Sequence, residues 1–470
     1  MAESTGLLST RQLVALVVSS GIPAVGMASF PMLLFGTAGW GSWAAALLTT
    51  VVGFSLGRVI MVFARRSVAS GSLSSYVAEV SGERSRAVVA GALLLGYLGQ
   101  MVAIQVLAAT YVTSFFTSTG FGFAGTPESL IVIFLLTGLV PAAIAWRGLD
   151  ASVRWAVTLT VISVPVVLTI SVASAWHTGL QLGQQLSMEG STWGGILVGF
   201  GAAASWLAGF ESGVTLAEET AEPTKSMPVA VLAVPVVTIG YLLVTMMQIP
   251  GLMLVGDQIR SGVSAPAALA ELAGLGRGVG QACDLLLTVG VFAALIGFTN
   301  YLSRLVVGYA AEGMLPSLLS RHNRRHGTPT SAIAVATGIS TVALIIVVAV
   351  SDEWGLTVYT MVSTSIVYLW AVPYACISVG VLVLLARERA MRVPIIVCAL
   401  IGGTGMLWPW VNSLVDPPPS PINHVSYGAV IAVVVVGTAF YLQRARRGRD
   451  VADPVDTAGT DPAGEVDTVH

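Results

Sequence analysis

Glu211 is the residue of this chain whose type and position most directly imply chemistry. In the stretch "SWLAGFESGVTLAEETAEPTKSMP" it arrives before a long apolar run has ended, and Glu218 and Glu219 follow just after. An acid inside a membrane is costly, so such a residue usually faces a cavity and carries function. Three roles fit: ligand for a cationic group, carrier of a proton, or structural partner of an arginine. Small residues crowd the run from Gly199 to Ser205, Trp206 follows, and Gly209 precedes the acid. A second run, "LVALVVSSGIPAVGMASFPMLL", is interrupted near its middle by Ser19, Ser20, Gly21, Ile22, Pro23 and Ala24. Proline removes an amide donor and clashes with the preceding turn, and glycine weakens a helix further. Unwound backbone in lipid persists only where it lines a cavity. There a half-helix N-terminus attracts an anion, and half-helix C-terminal carbonyls attract a cation. A zwitterionic amino acid carries both charges. The expected carboxylate site is therefore the first break, and the expected amine site is the second, around Ser205, Trp206 and Gly209 with Glu211 beside it. The plain alternative for the first break is a Pro/Gly kink with packing serines.

Other polar residues carry two readings each. Tyr97, Gln100 and Ile104 share one helical stripe, and Gln100 faces the bundle more naturally than lipid. Each is either a substrate contact or helix glue, as are Thr299 and Asn300. Arg58 and Arg304 lie near helix ends, where long side chains snorkel or pair. An inner gate would pair Glu218 or Glu219 with Arg304, Arg65 or Arg66. The three cysteines are far apart, without metal or redox spacing, and read as small buried apolar residues. The five histidines fall in loops or tails. No metal set, cofactor motif or nucleophile–base pair stands out, which argues against an enzyme.

The elements that must hold these residues are membrane helices. The chain has 470 residues, 55% hydrophobic and 10% charged, against about 25% charged in soluble domains. Roughly twelve segments are long enough to span, near 12–36, 39–64, 87–117, 128–146, 154–175, 193–217, 227–255, 281–304, 329–350, 356–386, 392–413 and 425–443. With the N-terminus inside and strict alternation, eighteen of the 22 cationic side chains fall inside and only Arg260 and Arg277 fall outside. That split follows the positive-inside rule and places both termini in the cytoplasm. Net charge is −2, which gives no sign of a nucleic-acid partner. Residues 1–10 form a cytoplasmic N-terminus and 11–443 the membrane domain. Residues 444–470 form a polar, acidic tail expected to be disordered. The arginines that open the tail either rest on anionic lipid or anchor the last helix.

Four motifs converge on one family. "GFESGVTLAEETAEPTKSMPVAV" resembles the helix 6 signature of the amino acid–polyamine–organocation (APC) permease superfamily, at Gly209, Phe210, Glu211, Ala217, Glu218, Glu219, Glu222, Pro223, Lys225 and Pro228. "LSRLVVGYAAEGMLPSLLSRHNRRHGTPTSAI" is similar to its helix 8 exit and helix 9 start, at Ser303, Arg304, Glu312, Gly313, Leu315, Pro316, Thr328 and Pro329. "ARRSVASGSLSSYVAEVSG" (Arg65, Gly71, Tyr76, Gly82) and "AWRGLDASVR" (Trp146, Arg147, Gly148, Ser152, Arg154) resemble the loops after helices 2 and 4. The resemblance implies an all-α integral membrane protein of twelve helices in a 5+5 inverted-repeat, LeuT-like fold. The repeats would span about 11–175 and 193–386, with two helices appended at about 392–443. It implies alternating access around a site between helices 1, 3, 6, 8 and 10, with carboxylate at the first break and amine at the second. Two departures stand out. Family members often carry Gly-Ser-Gly-Ile where this chain has Ser19-Ser20-Gly21-Ile22. The helix 5 lysine of many members is absent, and its place falls near Ser163, which is either a sodium ligand or a packing serine.

The expected function is secondary transport of amino acids as proton-coupled symport or exchange, with Glu211, Ser163, Arg304 and Glu219 in coupling or gating. The alternatives are a polyamine or related amine permease and a sodium-coupled symporter. A polyamine site needs acids for both ammonium ends, and only Glu211 reads as a deep acid. A channel would be told apart by its flux, which shows no saturable counterflow.

Overall fold

The computed structural model describes residues 8–66, 73–120, 125–323, 326–350, 356–418, 420 and 422–452. Gly71, Arg324, Arg325 and positions 453–470 lie outside them. Among the described residues the chain is helical, with one isolated parallel bridge between Leu8 and Thr220 and no strand.

The first apolar run is two helices, not one. α1 (Thr10–Ser20) opens on a capping box of Ser9 and Gln12 and stops at Gly21. Ile22 follows at φ 49°, a left-handed conformation for a β-branched residue, which costs about 1–2 kcal/mol. Pro23 then opens α2 (Pro23–Ala38), whose first turn does not need the amide it lacks. A 3₁₀ turn at Gly39–Gly41 leads into α3 (Ser42–Ala64). α4 (Leu73–Ser118) bends at Gly82, φ 77°. α5 (Pro127–Trp146), α6 (Leu149–Thr178) and the short α7 (Leu182–Ser187) complete the first half. The second half also opens on a broken helix. α8 (Trp193–Ala203) passes into a 3₁₀ turn at Ala204–Leu207. It is then extended at Ala208, turns at Gly209 (φ 78°) and leaves as 3₁₀ helix at Ser212–Glu219. α9 (Pro223–Arg260), α10 (Ala265–Leu272), α11 (Arg277–Ala311), α12 (Thr330–Val350), α13 (Leu356–Arg387), α14 (Val393–Val415) and α15 (Asn423–Ala452) follow.

Eleven described stretches are long and apolar enough to cross a membrane. The first, Thr10–Ala64, is 55 residues long, against about 20 for one crossing. That length and the turn at Gly39–Gly41 support reading it as two crossings, which a total of twelve requires. α15 continues past the expected end of the last span to Ala452, and Arg444 on this extension pairs with Glu83 at 3.0 Å.

α4 packs most extensively against α13 and α11. Gly96 permits the closest approach: a Cβ there would lie 2.6 Å from Trp370 Cε3 on α13.

The face that carries the N-terminus is closed by backbone and charge together. Leu8 N–H donates to Glu219 O at 2.7 Å, and Ala221 N–H donates to Leu8 O at 2.9 Å. Arg304 Nε donates to both Glu219 carboxylate oxygens at 3.1 and 3.3 Å, and Arg304 NH1 donates to Asn300 Oδ1 at 2.8 Å. Asn300 Nδ2 donates in turn to Ser152 Oγ at 2.9 Å. Glu219 thus takes Arg304 among the expected gate partners, while Arg66 pairs with Glu388 at 2.5 Å.

At the other face, α10 folds across the bundle and reveals a second deep acid that the sequence reading missed. Asp284 is fully buried. It accepts hydrogen bonds from Ser114 Oγ at 2.7 Å and Ser264 Oγ at 2.5 Å. Ser264 also caps α10. Asp284 lies near the start of α11. The α10 segment covers that end, and its cap residue supplies one of the two hydroxyls.

Two stability outcomes follow. Gly96→Val should displace Trp370 and cost about 2 kcal/mol, read as a lower thermal unfolding midpoint in detergent. Glu219→Arg should cost about 2 kcal/mol by facing two guanidinium groups, and adding Arg304→Glu should restore part of it. A double variant no more stable than Glu219→Arg alone would remove the pair from the closure.

Candidate functional site

The two breaks face one another across a small cavity. It is lined from α1 and the first break by Val17, Ser20, Gly21 and Ile22, and from the second break by Trp206, Ala208, Gly209 and Phe210. Gln100 on α4 and Phe298 and Tyr301 on α11 close its sides. The space is about 30 Å³. A second space of about 20 Å³ adjoins it, sharing Ile22, Gln100 and Trp206 and adding Ile104 and Ser205. Each is of the size that holds a water or two, so a larger guest needs the walls to part.

Tyrosines hold the breaks open. Tyr241 OH donates to Gly21 O at 2.9 Å, and its ring meets Trp206 edge to face at 5.8 Å. Tyr301 OH lies 2.7 Å from Ser20 Oγ. Tyr374 OH reaches Leu207 O at 2.8 Å and accepts from Gly209 N–H at 3.2 Å. Two polar atoms beside the cavity, Gln100 Oε1 and Trp206 Nε1, are buried without a hydrogen-bond partner. Such atoms cost free energy until something pairs with them.

Glu211 is fully buried but does not line the cavity. It sits one layer behind, where Trp370 Nε1 donates to Oε1 at 3.2 Å and Tyr374 OH lies 2.5 Å from Oε2. Of the three roles open to it, pairing with an arginine has no counterpart here: among the described residues Glu211 forms no ion pair. Tyr97 joins this layer, its ring 5.1 Å from Trp370 and 6.1 Å from Phe298.

Of the residues expected at the site, Ser20, Gly21, Ile22, Gln100, Trp206 and Gly209 meet at the first space, and Ser205 and Ile104 at the second. Ser19, Pro23 and Ala24 flank the first break without lining either space. Ser163 also lies apart: its hydroxyl donates within its own helix to Leu159 O at 2.9 Å and Thr160 O at 3.2 Å. Sequence reasoning missed Trp370 and Tyr374, the two direct partners of Glu211. Their signal was one helical turn of spacing on α13. Among the described residues no cluster of His, Cys, Asp or Glu could hold a metal ion.

Residues 8–440 match the amino acid permease family. Among curated protein sequences none matches the chain. Solved structures share its fold at low identity. The crystal structure of MhsT in complex with L-phenylalanine has a TM-score of 0.56 at 14% identity, covering 91% of this chain and 98% of that one. The substrate-bound, outward-open state of a Na⁺-coupled sialic acid symporter gives 0.53 at 12%, covering 88% and 91%. MHP1, a nucleobase-cation-symport-1 family transporter in a closed conformation with bromovinylhydantoin bound, gives 0.50 at 11%, covering 94% of each. The likeness bears out the LeuT-like fold. The family match extends over nearly the whole chain, so the chain belongs to the amino acid permease family of the APC superfamily, a multi-pass secondary transporter rather than an enzyme.

Proposed function

We propose that the chain carries amino acids with uncharged side chains by alternating access, coupled to a proton or by exchange. The observation that carries the reading is the pair of facing breaks around a cavity lined by no charged side chain. The first turn of α2 leaves the Ala24 and Val25 amides without intrahelical partners, as every helix start does. Amides and helix dipole there favour a carboxylate. The carbonyls released between Ser205 and Gly209 favour an ammonium group. An added charge on the substrate side chain would meet no counter-charge in the lining and would lose hydration without compensation. That disfavours polyamines. Gln100 and Trp206 offer one acceptor and one donor to a polar side chain.

Glu211 is the proposed proton site, by hydrogen count. Tyr374 has one hydroxyl proton and two oxygen neighbours, Leu207 O and Glu211 Oε2. A proton on Glu211 satisfies both, since the carboxyl then donates to Tyr374 and Tyr374 to Leu207 O. Loss of that proton frees an acceptor directly behind the second break. Sodium coupling is the second reading. The buried Thr299 hydroxyl on α11 has no hydrogen-bond partner, and the sialic acid symporter is described as Na⁺-coupled.

Counterflow into proteoliposomes tests these points. Saturable counterflow should appear with neutral amino acids and not with polyamines, and its pH dependence should vanish in Glu211→Gln. Polyamine counterflow alone would sink the substrate class. Dependence on external sodium, retained in Glu211→Gln, would replace the proton. Gln100→Leu should shift preference from serine toward alanine by about tenfold, the weight of one hydrogen bond. An unchanged ratio would remove Gln100 from substrate reading.

A further inference from the structure

A second recess, remote from the substrate cavity, opens where α5 ends and α6 begins. It measures about 540 Å³ and is lined by Arg147, Ala151, Arg154, Trp155 and His326. Two arginines, Arg147 and Arg154, stand among its lining residues. Arg154 is held in place by its Nε donating to Asp150 O at 3.3 Å. Among the described residues neither arginine has a carboxylate within ion-pair distance; Asp150, one turn before Arg154, offers Arg154 only its backbone oxygen. The far wall is fixed as well, since Thr328 Oγ1 donates to Trp146 O at 3.0 Å and ties the His326 segment to the end of α5.

Below the recess the surface turns apolar. Trp155, Val161, Ile162, Leu168 and Val172 are exposed along one face of α6. Arg154, Val161, Leu168 and Val172, spaced seven, seven and four residues apart, share one stripe of a 3.6-residue helix, and Trp155 and Ile162 lie on the line beside it. Trp146 and Trp155 stand exposed where the basic recess meets this stripe, the depth at which indole rings settle at a membrane interface. Charge above and hydrocarbon below match one class of molecule. An arginine pair presents several N–H donors to phosphate oxygens, and the stripe continues in the direction an acyl chain would take.

We propose that this recess binds an anionic phospholipid, its headgroup phosphate between Arg147 and Arg154 and one acyl chain along the exposed stripe of α6. The site lies on the face that carries the N-terminus. Because α6 also supplies Ser152, which accepts from Asn300 beside the Arg304–Glu219 pair, the lipid would sit two residues from the closure of that face.

The test uses the full chain in a neutral detergent. It is titrated with phosphatidylglycerol, phosphatidylcholine and inorganic phosphate in separate arms, with bound adducts counted by native mass spectrometry. Phosphatidylglycerol should give one saturable adduct, absent with phosphatidylcholine. In Arg147→Gln/Arg154→Gln its affinity should fall by about tenfold or more, given the contribution of each basic residue near an anionic surface. Arg389→Gln/Arg392→Gln, two exposed arginines elsewhere on the same face, should leave it unchanged. Ala151→Glu places a carboxylate in the recess with both arginines intact and should also abolish the adduct, which covers the case in which the double variant fails to fold. Equal loss in both arginine pairs, or none in Ala151→Glu, would overturn the site. Phosphate binding as tightly as the lipid would overturn the lipid and leave a free-anion site.

Discussion

Backbone left without a helix inside a membrane is the constraint on which the rest of this structure depends. Each freed amide or carbonyl must find a partner that lipid cannot supply. The chain frees two sets of them, at Gly21–Ile22 and from Ala204 to Phe210, and answers with tyrosines from other helices. Tyr241 reaches Gly21 O, and Tyr374 spans Leu207 O and Gly209 N–H. Gly21 and Ile22 of the first break and Ala208 and Gly209 of the second line the cavity. The left-handed Ile22 belongs to the same economy, since its strain persists only because the helices on either side fix it.

In the proposed mechanism Glu211 connects that backbone to proton chemistry without touching the cavity. Its carboxyl shares Tyr374 with the second break, so a change in its protonation alters how Leu207 O is satisfied. This arrangement needs no long conduit. The acid, the tyrosine and the break form one hydrogen-bonded group, and Trp370 packed into Gly96 sets its distance from α4.

The two faces of the bundle close by different physics. On the N-terminal face a charged pair, Arg304 and Glu219, is reinforced by the backbone of Leu8. On the other face a buried carboxylate, Asp284, gathers hydroxyls from α4 and from the cap of α10. The first closure places opposite charges at a partly exposed position, where they are weakened by water. The second is dry and neutral except for one acid.

Much of this was written in the local sequence. Apolar runs of spanning length, the distribution of arginine, and Pro, Gly and Ser in two mid-segment clusters together determine a membrane bundle with two broken helices. The break positions follow because proline and glycine act on their own backbone. The six residues expected at the cavity that do meet there, from Ser20 to Gly209, were legible because they sit at the breaks or on a polar stripe beside them. What the sequence could not determine is which side chains answer the freed groups. Tyr374 and Trp370 lie some 160 residues from Glu211, and their one-turn spacing on α13 does not say which acid they meet. Counting along a helix left Ser163 either a sodium ligand or a packing serine, and its hydroxyl proton is donated within that helix. Asp284 lies near the end of a span, and α10, whose cap Ser264 bonds it, covers that end. Sequence determines where a helix breaks, because that cost is local. Only tertiary packing decides who satisfies the break and which acid is buried, because those partners are neighbours in space alone.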